Sequence, residues 1–292
     1  MEAEFARGNQ VKCYLLVSVV IRIALRVGLH RDATKVAGGI SVFRAEIRRR
    51  LWHFLRQVDN LSSFYIGLPS MAHVIESDTE RPRNLRDEDF HENSKDLPAS
   101  RPESEMTSMS YILCKGRIMD IFGEIAAQAN RLSLPPYEEI LELDNTPNQA
   151  FAKVPTFYQV VPQDLAFTDS VELIIQRFSI AVLYLKSRCV LHRKYMIGGS
   201  DEQKFSFSRQ ASLDASMQLL RYQSSIHDAV QPDGLLSRET WFVTSLSIHD
   251  FLLAATIVYL TLIRVINGAG SRLEIELEQH HELNILLERS YA

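Results

Sequence analysis

The feature that most constrains the fold is the apolar pattern between Phe43 and Tyr65, which is helical in period and stops at a glycine and a proline. The apolar positions, mostly three or four residues apart, are Ile47, Leu51, Phe54, Leu55, Val58 and Leu61. This spacing predicts one long amphipathic helix whose apolar stripe faces a core. Gly67 and Pro69 follow the pattern and predict the end of the helix.

Similar patterns occupy most of the chain. Val11–Val27 has apolar residues at every fourth position and predicts a buried helix capped by Gly28. Only Val154–Val161 is a candidate strand. Further helices are predicted over Glu105–Arg131, Tyr137–Leu143, Ser170–Met196, Ser206–Ala229 and Thr240–Ile266. These segments predict an all-α fold, a single large bundle of about eight mostly antiparallel helices joined by irregular, proline-rich connections.

The proposed domain organisation is one helical domain over residues 11–266. Residues 1–10 form a polar N-terminal edge, and residues 267–292 form a polar tail that ends within a helical pattern and therefore reads as truncated. Residues 76–104 and 144–169 contain prolines and polar residues and are expected to be linker-like loops. The apolar run Phe251–Ile263 is too short to cross a bilayer, so no membrane partner is expected.

Catalytic and metal-binding motifs are absent from the sequence. His281–Glu282 begins an H-E-x-x-H pattern, but position 285 is isoleucine. There is no G-x-S-x-G, P-loop or G-x-G-x-x-G sequence. The net charge of −4 disfavours the chain as a whole as a nucleic-acid-binding surface. We therefore assign no catalytic residue and no metal ligand.

A few residues could still carry chemistry or binding. His249 and Asp250 precede an apolar run, where they are either a satisfied polar pair in a core or, with Trp241, the lining of a ligand pocket. Arg48 and Trp52 are four residues apart and could form a cation–π contact. The three cysteines, predicted to be core thiols, are Cys13, Cys114 and Cys189.

Several segments together are similar to a known family. They are IALRVGLHRD at residues 23–32, EIRRRLW at residues 46–52, DNLSS from Asp59, GLP at residues 67–69 and PRNLRDED at residues 82–89. This combination resembles the middle homology, or regulatory, domain of fungal zinc binuclear-cluster transcription factors, over roughly Val11 to Leu262. Two positions depart from the family pattern, because His53 replaces a tryptophan and Leu68 replaces an arginine.

The resemblance implies structural roles rather than catalysis for the residues of the signature. These residues are His30, Asp32, Arg48, Arg49, Trp52, Asp59, Gly67 and Pro69. It also implies that zinc belongs only to an N-terminal six-cysteine cluster, which three scattered cysteines cannot build. No cofactor is therefore expected in this chain, and DNA would be reached only through a zinc-cluster module that the chain lacks.

Three functions remain open from the sequence. The resemblance favours a regulatory, non-catalytic domain of a nuclear transcription factor that responds to a small-molecule effector or a coregulator protein. The first alternative is a stand-alone enzyme of fungal secondary metabolism that uses His249 and Asp250 for acid–base chemistry. The second is a module for homodimerisation or a decoy of a full-length regulator. The chain would accordingly be a fragment of a regulator, a misassigned reading frame or a stand-alone relative.

Overall fold

The all-α class is confirmed for the part of the chain that the structure describes. The computed structural model describes residues 2–35, 39–133, 135–160, 169–196, 204–232, 234–239, 248–266 and 285, with the side chains of residues 2–10, 248, 265 and 266 excluded. These residues form eight α-helices and three short 3-10 turns, and no strand. The candidate strand at Val154–Val161 is wrong in its described part, which contains a 3-10 turn at Thr156–Tyr158.

The helices fall into two compact units. Unit 1, Met1–Asn130 with Lys153–Pro155, contains α1 (Glu2–Arg26), α2 (Val42–Ile66), α3 (Met71–Val74) and α4 (Ser110–Ala129). Unit 2, Arg131–Ala152 with Thr156–Ala292, contains α5 (Tyr137–Ala152), α6 (Val171–His192), α7 (Ser206–Val230) and α8 (Ile248–Ile266). The predicted helices are present in their described parts, and α1 begins earlier than the expected Val11. Residues 240–247 of the predicted helix Thr240–Ile266 lie outside the described residues.

The end of α2 follows the sequence prediction. Gly67 has a φ of 76°, the left-handed conformation that glycine adopts without steric cost. Its N–H donates to the Phe64 carbonyl, and the Leu68 N–H donates to the Ser63 carbonyl, each at 3.0 Å. These two bonds satisfy carbonyl groups that the helix end would otherwise leave without partners.

The prediction that the apolar stripes of α1 and α2 face a core is wrong for most of their residues. On α1, Val11, Leu15, Val19, Ile23 and Val27 are exposed, and on α2, Ile47, Leu51 and Phe54 are exposed while Leu55 is buried. The core between these helices is instead small and consists of Ile21, Ala24, Leu29, Trp52, Leu55 and Ala72. A periodic pattern identifies an apolar face of a helix but does not show whether another element covers that face. The sequence therefore wrongly predicted that the apolar faces of α1 and α2 are buried.

The buried face of α2 is largely polar. It includes Glu46, Arg49, His53, Gln57, Asp59 and Asn60. Part of this face packs on α4, where Gln57 donates through Nε2 to the Ile112 carbonyl at 3.0 Å. Gly116 on α4 makes the close approach possible, because a Cβ atom there would overlap the His53 ring and lie 2.8 Å from Gln57 Nε2. Helices α2 and α4 are therefore joined by polar contacts across a glycine.

In unit 2, the long helices α6, α7 and α8 enclose an apolar core. Buried members of this core include Leu185, Cys189, Leu219, Leu220, Ala254 and Val258. A second cluster around Phe178, Ile226 and Phe251 extends it along the same helices. Among the described helices, none is long and apolar enough to span a bilayer.

The expected loop at residues 144–169 is wrong at its start, because α5 continues to Ala152 through Pro147. Proline lacks the N–H that would bond the Leu143 carbonyl four residues earlier. The Thr146 hydroxyl donates to that carbonyl instead, at 2.8 Å. The side chain next to the proline thus supplies the hydrogen bond that the proline removes, and the helix continues.

The prediction of core thiols is confirmed at two of the three cysteines. Cys114 and Cys189 are buried, and burial raises the pKa of the Cys114 thiol to about 11 and that of Cys189 to about 12. Cys13 on α1 is exposed, and the prediction is wrong there because this side of α1 is not covered. Cys13 is therefore the accessible thiol among the three.

Candidate functional site

The residues of the sequence signature meet in unit 1 around a buried ion pair between Arg49 and Asp32. Arg49 donates to the two carboxylate oxygens of Asp32, from Nε at 2.8 Å and from Nη2 at 2.9 Å. Asp32 is fully buried and also accepts from the Thr34 N–H and hydroxyl and from the Glu80 N–H. Burial raises the pKa of Asp32, but the hydrogen bonds from Arg49 and Thr34 outweigh it and hold the pKa below its usual range.

Arg48 closes the end of α1. Its Nη2 donates to the carbonyls of Val27 at 3.0 Å and Gly28 at 2.7 Å. A cation near the last carbonyl groups of a helix also complements the helix dipole. Arg48 therefore binds the end of α1, rather than making the cation–π contact with Trp52 that the sequence suggested.

Trp52 and His30 are joined through Ser77. The Trp52 indole donates to Ser77 Oγ at 2.9 Å, and the Ser77 hydroxyl donates to the His30 carbonyl at 2.8 Å. The His30 and Trp52 rings lie with their centroids 6.3 Å apart. These contacts tie the end of α1 and the middle of α2 to the loop that follows α3.

Arg50 and Glu46 fix the next part of that loop. Arg50 donates to Glu46 at 3.4 Å, to the Leu85 carbonyl at 3.2 Å and to Asp87 at 2.8 Å. Its guanidinium also lies 4.8 Å from the centroid of the Phe90 ring. Glu46 is fully buried and accepts from the Arg83 N–H at 3.0 Å, and burial raises its pKa. All three arginines of the cluster are thus engaged within the protein.

Asp59, Gly67 and Pro69 shape the turn between α2 and α3. Asp59 is fully buried, and its Oδ2 accepts from the Ser70 hydroxyl at 2.7 Å and from the Ala72 N–H at 2.8 Å. Ser70 in turn caps α3 by accepting from the His73 N–H at 3.1 Å. Pro69 is exposed directly before this cap. The aspartate therefore anchors a turn that Gly67 and Pro69 begin.

Asn84 lies in the PRNLRDED segment, where the sequence assigned it no role of its own, and Arg101 was not singled out; both residues hold the loop at residues 76–104 together. Asn84 is buried and donates to the carbonyls of Pro102 at 3.0 Å and Glu105 at 3.2 Å. Arg101 binds both oxygens of Asp89 at 2.7 Å. Three prolines nearby reduce the number of backbone donors, which is the sequence signal that side chains must supply the bonds.

The pocket proposed around His249 and Asp250 belongs to unit 2. Asp250 Oδ1 lies 2.8 Å from Lys186 Nζ, and both side chains are almost fully buried. His249 is half-buried beside it, and Trp241 lies outside the described residues. Sequence reasoning missed Lys186, which sits in the middle of the apolar helix α6. The Asp250 carboxylate is therefore engaged in a buried ion pair between α6 and α8.

A second polar network in unit 2 was also missed by the sequence. His192 Nε2 lies 3.1 Å from Asp144 Oδ1, and His192 Nδ1 lies 2.9 Å from Ser208 Oγ. Arg188 donates to both Asp144 oxygens at 3.0 and 3.3 Å, and Tyr137 OH lies 2.9 Å from Ser208 Oγ. Burial raises the pKa of Asp144, but the hydrogen bonds with His192 and Arg188 lower it by more than burial raises it, so that the pKa is about 2.

The hydrogen-bonded series Ser208–His192–Asp144 has the residue types of a hydrolase catalytic triad, but it differs from an active site in its burial. Ser208 and His192 are fully buried, and Asp144 is almost so. A nucleophile has to reach its substrate, and this serine is covered by protein. The same three residues connect α5, α6 and α7, so the arrangement can lock the three helices together. Within the described residues, no group of three or more His, Cys, Asp or Glu is placed to bind a metal.

Comparisons with known proteins find a family whose model covers the segments that form the networks of unit 1. The model of the fungal specific transcription factor domain matches residues 3–150. The Zn(2)-C6 fungal-type transcription factor pigI of Monascus ruber is 40% identical over 253 residues, which are 87% of this chain and 31% of the relative. The Zn(2)-C6 fungal-type transcription factor mpsB of Macrophomina phaseolina is 36% identical over 294 residues, 98% of this chain and 39% of the relative.

A third relative, the pyrrolocin cluster transcription factor fsdR of a fungal species, is 36% identical over 258 residues, 88% of this chain and 33% of the relative. The chain thus spans only about a third of the length of these relatives. No solved structure matches it significantly. With half of the chain matched by one family model, and the signature residues placed together in its structure, this chain belongs to the fungal specific transcription factor domain family.

Proposed function

We propose that this chain is the regulatory, non-catalytic region of a fungal transcription factor that controls a secondary-metabolite gene cluster. The observation that carries the proposal is the similarity over nearly the whole chain to transcription factors, one of them named for the pyrrolocin cluster. Another relative, 33% identical over 88% of this chain, is the equisetin cluster transcription factor eqxF of Fusarium heterosporum. The protein would act in the nucleus.

A regulatory role is supported by the arginine cluster of α2, whose side chains are hydrogen-bonded within the protein. Basic residues that could otherwise bind phosphate groups, Arg48, Arg49 and Arg50, are bonded to carbonyl and carboxylate groups of unit 1. Specific DNA recognition requires side chains that are free to reach base edges and phosphates. On this proposal, DNA is bound by a zinc-cluster module outside these 292 residues, as in the Zn(2)-C6 relatives, and this region transmits the signal of an effector or a coregulator.

DNA binding by the chain alone is the first test. The 292-residue chain is titrated with promoter fragments from its gene cluster, and a fusion to an unrelated DNA-binding domain is tested on a reporter gene. We expect no sequence-specific binding by the chain alone and a change in reporter transcription from the fusion. Tight, sequence-specific binding by the chain would contradict the proposed division of labour.

Measuring transcripts and metabolites separates regulation from catalysis. Deleting the gene is expected to change transcript levels of the cluster and its product together, because regulation acts upstream of synthesis. The His249→Ala strain addresses the enzymatic alternative, since His249 lies beside the buried Asp250 pair. Loss of the metabolite in that strain with unchanged transcripts would contradict a purely regulatory function.

A further inference from the structure

One face of the C-terminal half of α1, whose side chains are described from Val11 onward, is apolar and exposed. The α1 face is defined by Leu15, Leu16, Val19, Val20 and Ile23, together with Val27 directly after the last helical residue. Each is between 42% and 68% exposed. Monomeric proteins rarely leave a contiguous apolar patch of more than a few hundred Å² uncovered. The spacing of these residues places them on successive turns of one helix, so they form a continuous strip.

The charges on this strip are all positive. Lys12, Arg22 and Arg26 are exposed and stand between the apolar residues rather than on the opposite side of the helix. From Val11 to Arg26 the sequence contains no aspartate or glutamate. The neighbouring helix α2 contributes no exposed carboxylate from Val42 to Val58, because its only acidic residue there, Glu46, is buried. The α1 face therefore combines apolar area with positive charge that no exposed carboxylate in Val11–Arg26 or Val42–Val58 offsets.

We infer that the α1 face is the docking site of an acidic amphipathic helix from a partner protein. Such a helix would place apolar side chains against Leu16, Val20 and their neighbours. Its carboxylates would lie opposite Lys12, Arg22 and Arg26. An apolar helix face recognises a partner helix through anchors spaced three, four and seven residues apart. Complementary charges then set the orientation and the specificity.

The charges decide against a second copy of this chain. A two-fold symmetric dimer would bring the same surface of each copy together. The patch that holds Lys12, Arg22 and Arg26 would then lie against the same positively charged patch of the other copy, and like charges in an interface cost several kcal/mol. The interleaving also disfavours a membrane surface, because interfacial helices keep their cations on the face opposite the apolar one. An extended peptide has no sheet edge to join, since α1 satisfies its own backbone groups.

The α1 face is tested with designed peptides and the full 292-residue chain. The first peptide is a helix of about five turns with leucine and phenylalanine at helical spacing and glutamate elsewhere. The second replaces each glutamate by lysine. Binding is measured by fluorescence anisotropy, and the alkylation rate of the exposed Cys13 on the same helix reports coverage independently. We expect the acidic peptide to bind with a micromolar Kd and to slow alkylation, and the basic peptide to bind at least about tenfold more weakly.

Substitutions on the α1 face separate its two properties. The double variant Leu16→Glu/Val20→Glu is expected to bind the acidic peptide at least about tenfold more weakly. Arg22→Glu with Arg26→Glu is expected to exchange the preference, so that the basic peptide now binds more tightly. Leu132→Glu is the control, because Leu132 is a fully exposed leucine outside α1. All of these positions are exposed, and thermal melts verify that each variant folds.

Four results would overturn the inference. The first is that the acidic peptide does not bind, and the second is that both peptides bind equally well. The third is that the Leu16→Glu/Val20→Glu variant binds the acidic peptide as tightly as the unchanged chain does. The fourth is a different occupant, seen either as cosedimentation with phosphatidylserine vesicles or as a dimer in light scattering that Leu16→Glu abolishes. The inference concerns a surface of this chain and does not depend on the proposed function.

Discussion

Arg49 donates two hydrogen bonds of 2.8 and 2.9 Å to Asp32, and both side chains are almost completely buried. The pair connects the loop after α1 to the middle of α2. Asp32 further holds the Thr34 and Glu80 backbone in place, so three chain segments depend on one carboxylate. A pair of this kind is costly to break from one side, because the remaining charge is left buried without its partner.

Removing either partner of this pair is expected to destabilise unit 1 strongly. Arg49→Met and Asp32→Asn should each lower the free energy of unfolding by about 3 kcal/mol or more. Urea denaturation followed by circular dichroism measures the change. Arg31→Met is the matched control, because Arg31 pairs with Asp78 while more than half exposed, and exposed pairs contribute less than about 1 kcal/mol. Similar losses for the control and the buried variants would contradict the assignment.

The Asp144 network predicts a specific dependence of stability on acid. The folded pKa of Asp144 is about 2, against a reference value of 3.8, so the unfolded chain binds this proton first as the pH falls. The contribution of Asp144 is therefore complete above about pH 4 and is lost between about pH 4 and pH 2, which amounts to about 2 kcal/mol.

The Asp144→Asn variant isolates this contribution. Its free energy of unfolding should be below that of the unchanged protein at pH 7, and the gap should narrow by about 2 kcal/mol as the pH falls from about 4 to about 2. Urea titrations at several pH values measure both. Glu142→Gln removes an exposed carboxylate from the same helix and serves as the control. A gap between unchanged protein and Asp144→Asn that stays constant with pH would refute the prediction.

The close contact of α2 and α4 makes Gly116 intolerant of a side chain. A Cβ atom there overlaps the His53 ring, so Gly116→Ala should lower the free energy of unfolding by about 2 kcal/mol. Gly123→Ala should cost less, since the nearest atom to its Cβ, Asn60 Nδ2, is 3.0 Å away. Adding His53→Ala should restore part of the loss in Gly116→Ala, because it frees the space. Additive effects in the double variant would speak against the overlap.

Thr146 is expected to stabilise α5 only while Pro147 is present. Thr146→Val removes the hydroxyl that bonds the Leu143 carbonyl and should cost about 1 kcal/mol. In a Pro147→Ala background the restored backbone N–H can bond that carbonyl, so the same substitution should cost almost nothing. The difference between the two costs, from a thermal or urea denaturation cycle, is the measurement. Equal costs in both backgrounds would show that the hydroxyl does not substitute for the N–H.

How much of the site was predictable differs between its parts. Gly67 and Pro69 could be placed at the end of α2 from sequence, because glycine and proline act on the backbone next to them. The partner of Asp32 could not, since Arg49 is 17 residues away and a local pattern does not specify which arginine turns inward. Asp144, His192 and Ser208 were missed for the same reason, because they lie on three helices that meet only in the tertiary structure.

The sequence by itself determined the all-α class, the positions of the long helices and membership of a family whose motifs lie in residues 23–89. Helical periodicity and helix-ending residues are local properties, and they are readable without knowledge of the partner. The tertiary structure decided which side of each helix is buried. In α2 it buried Glu46, Arg49 and Asp59 and left Leu51 and Phe54 exposed, because close packing selects the face with the more complementary neighbours, here polar groups that bond one another.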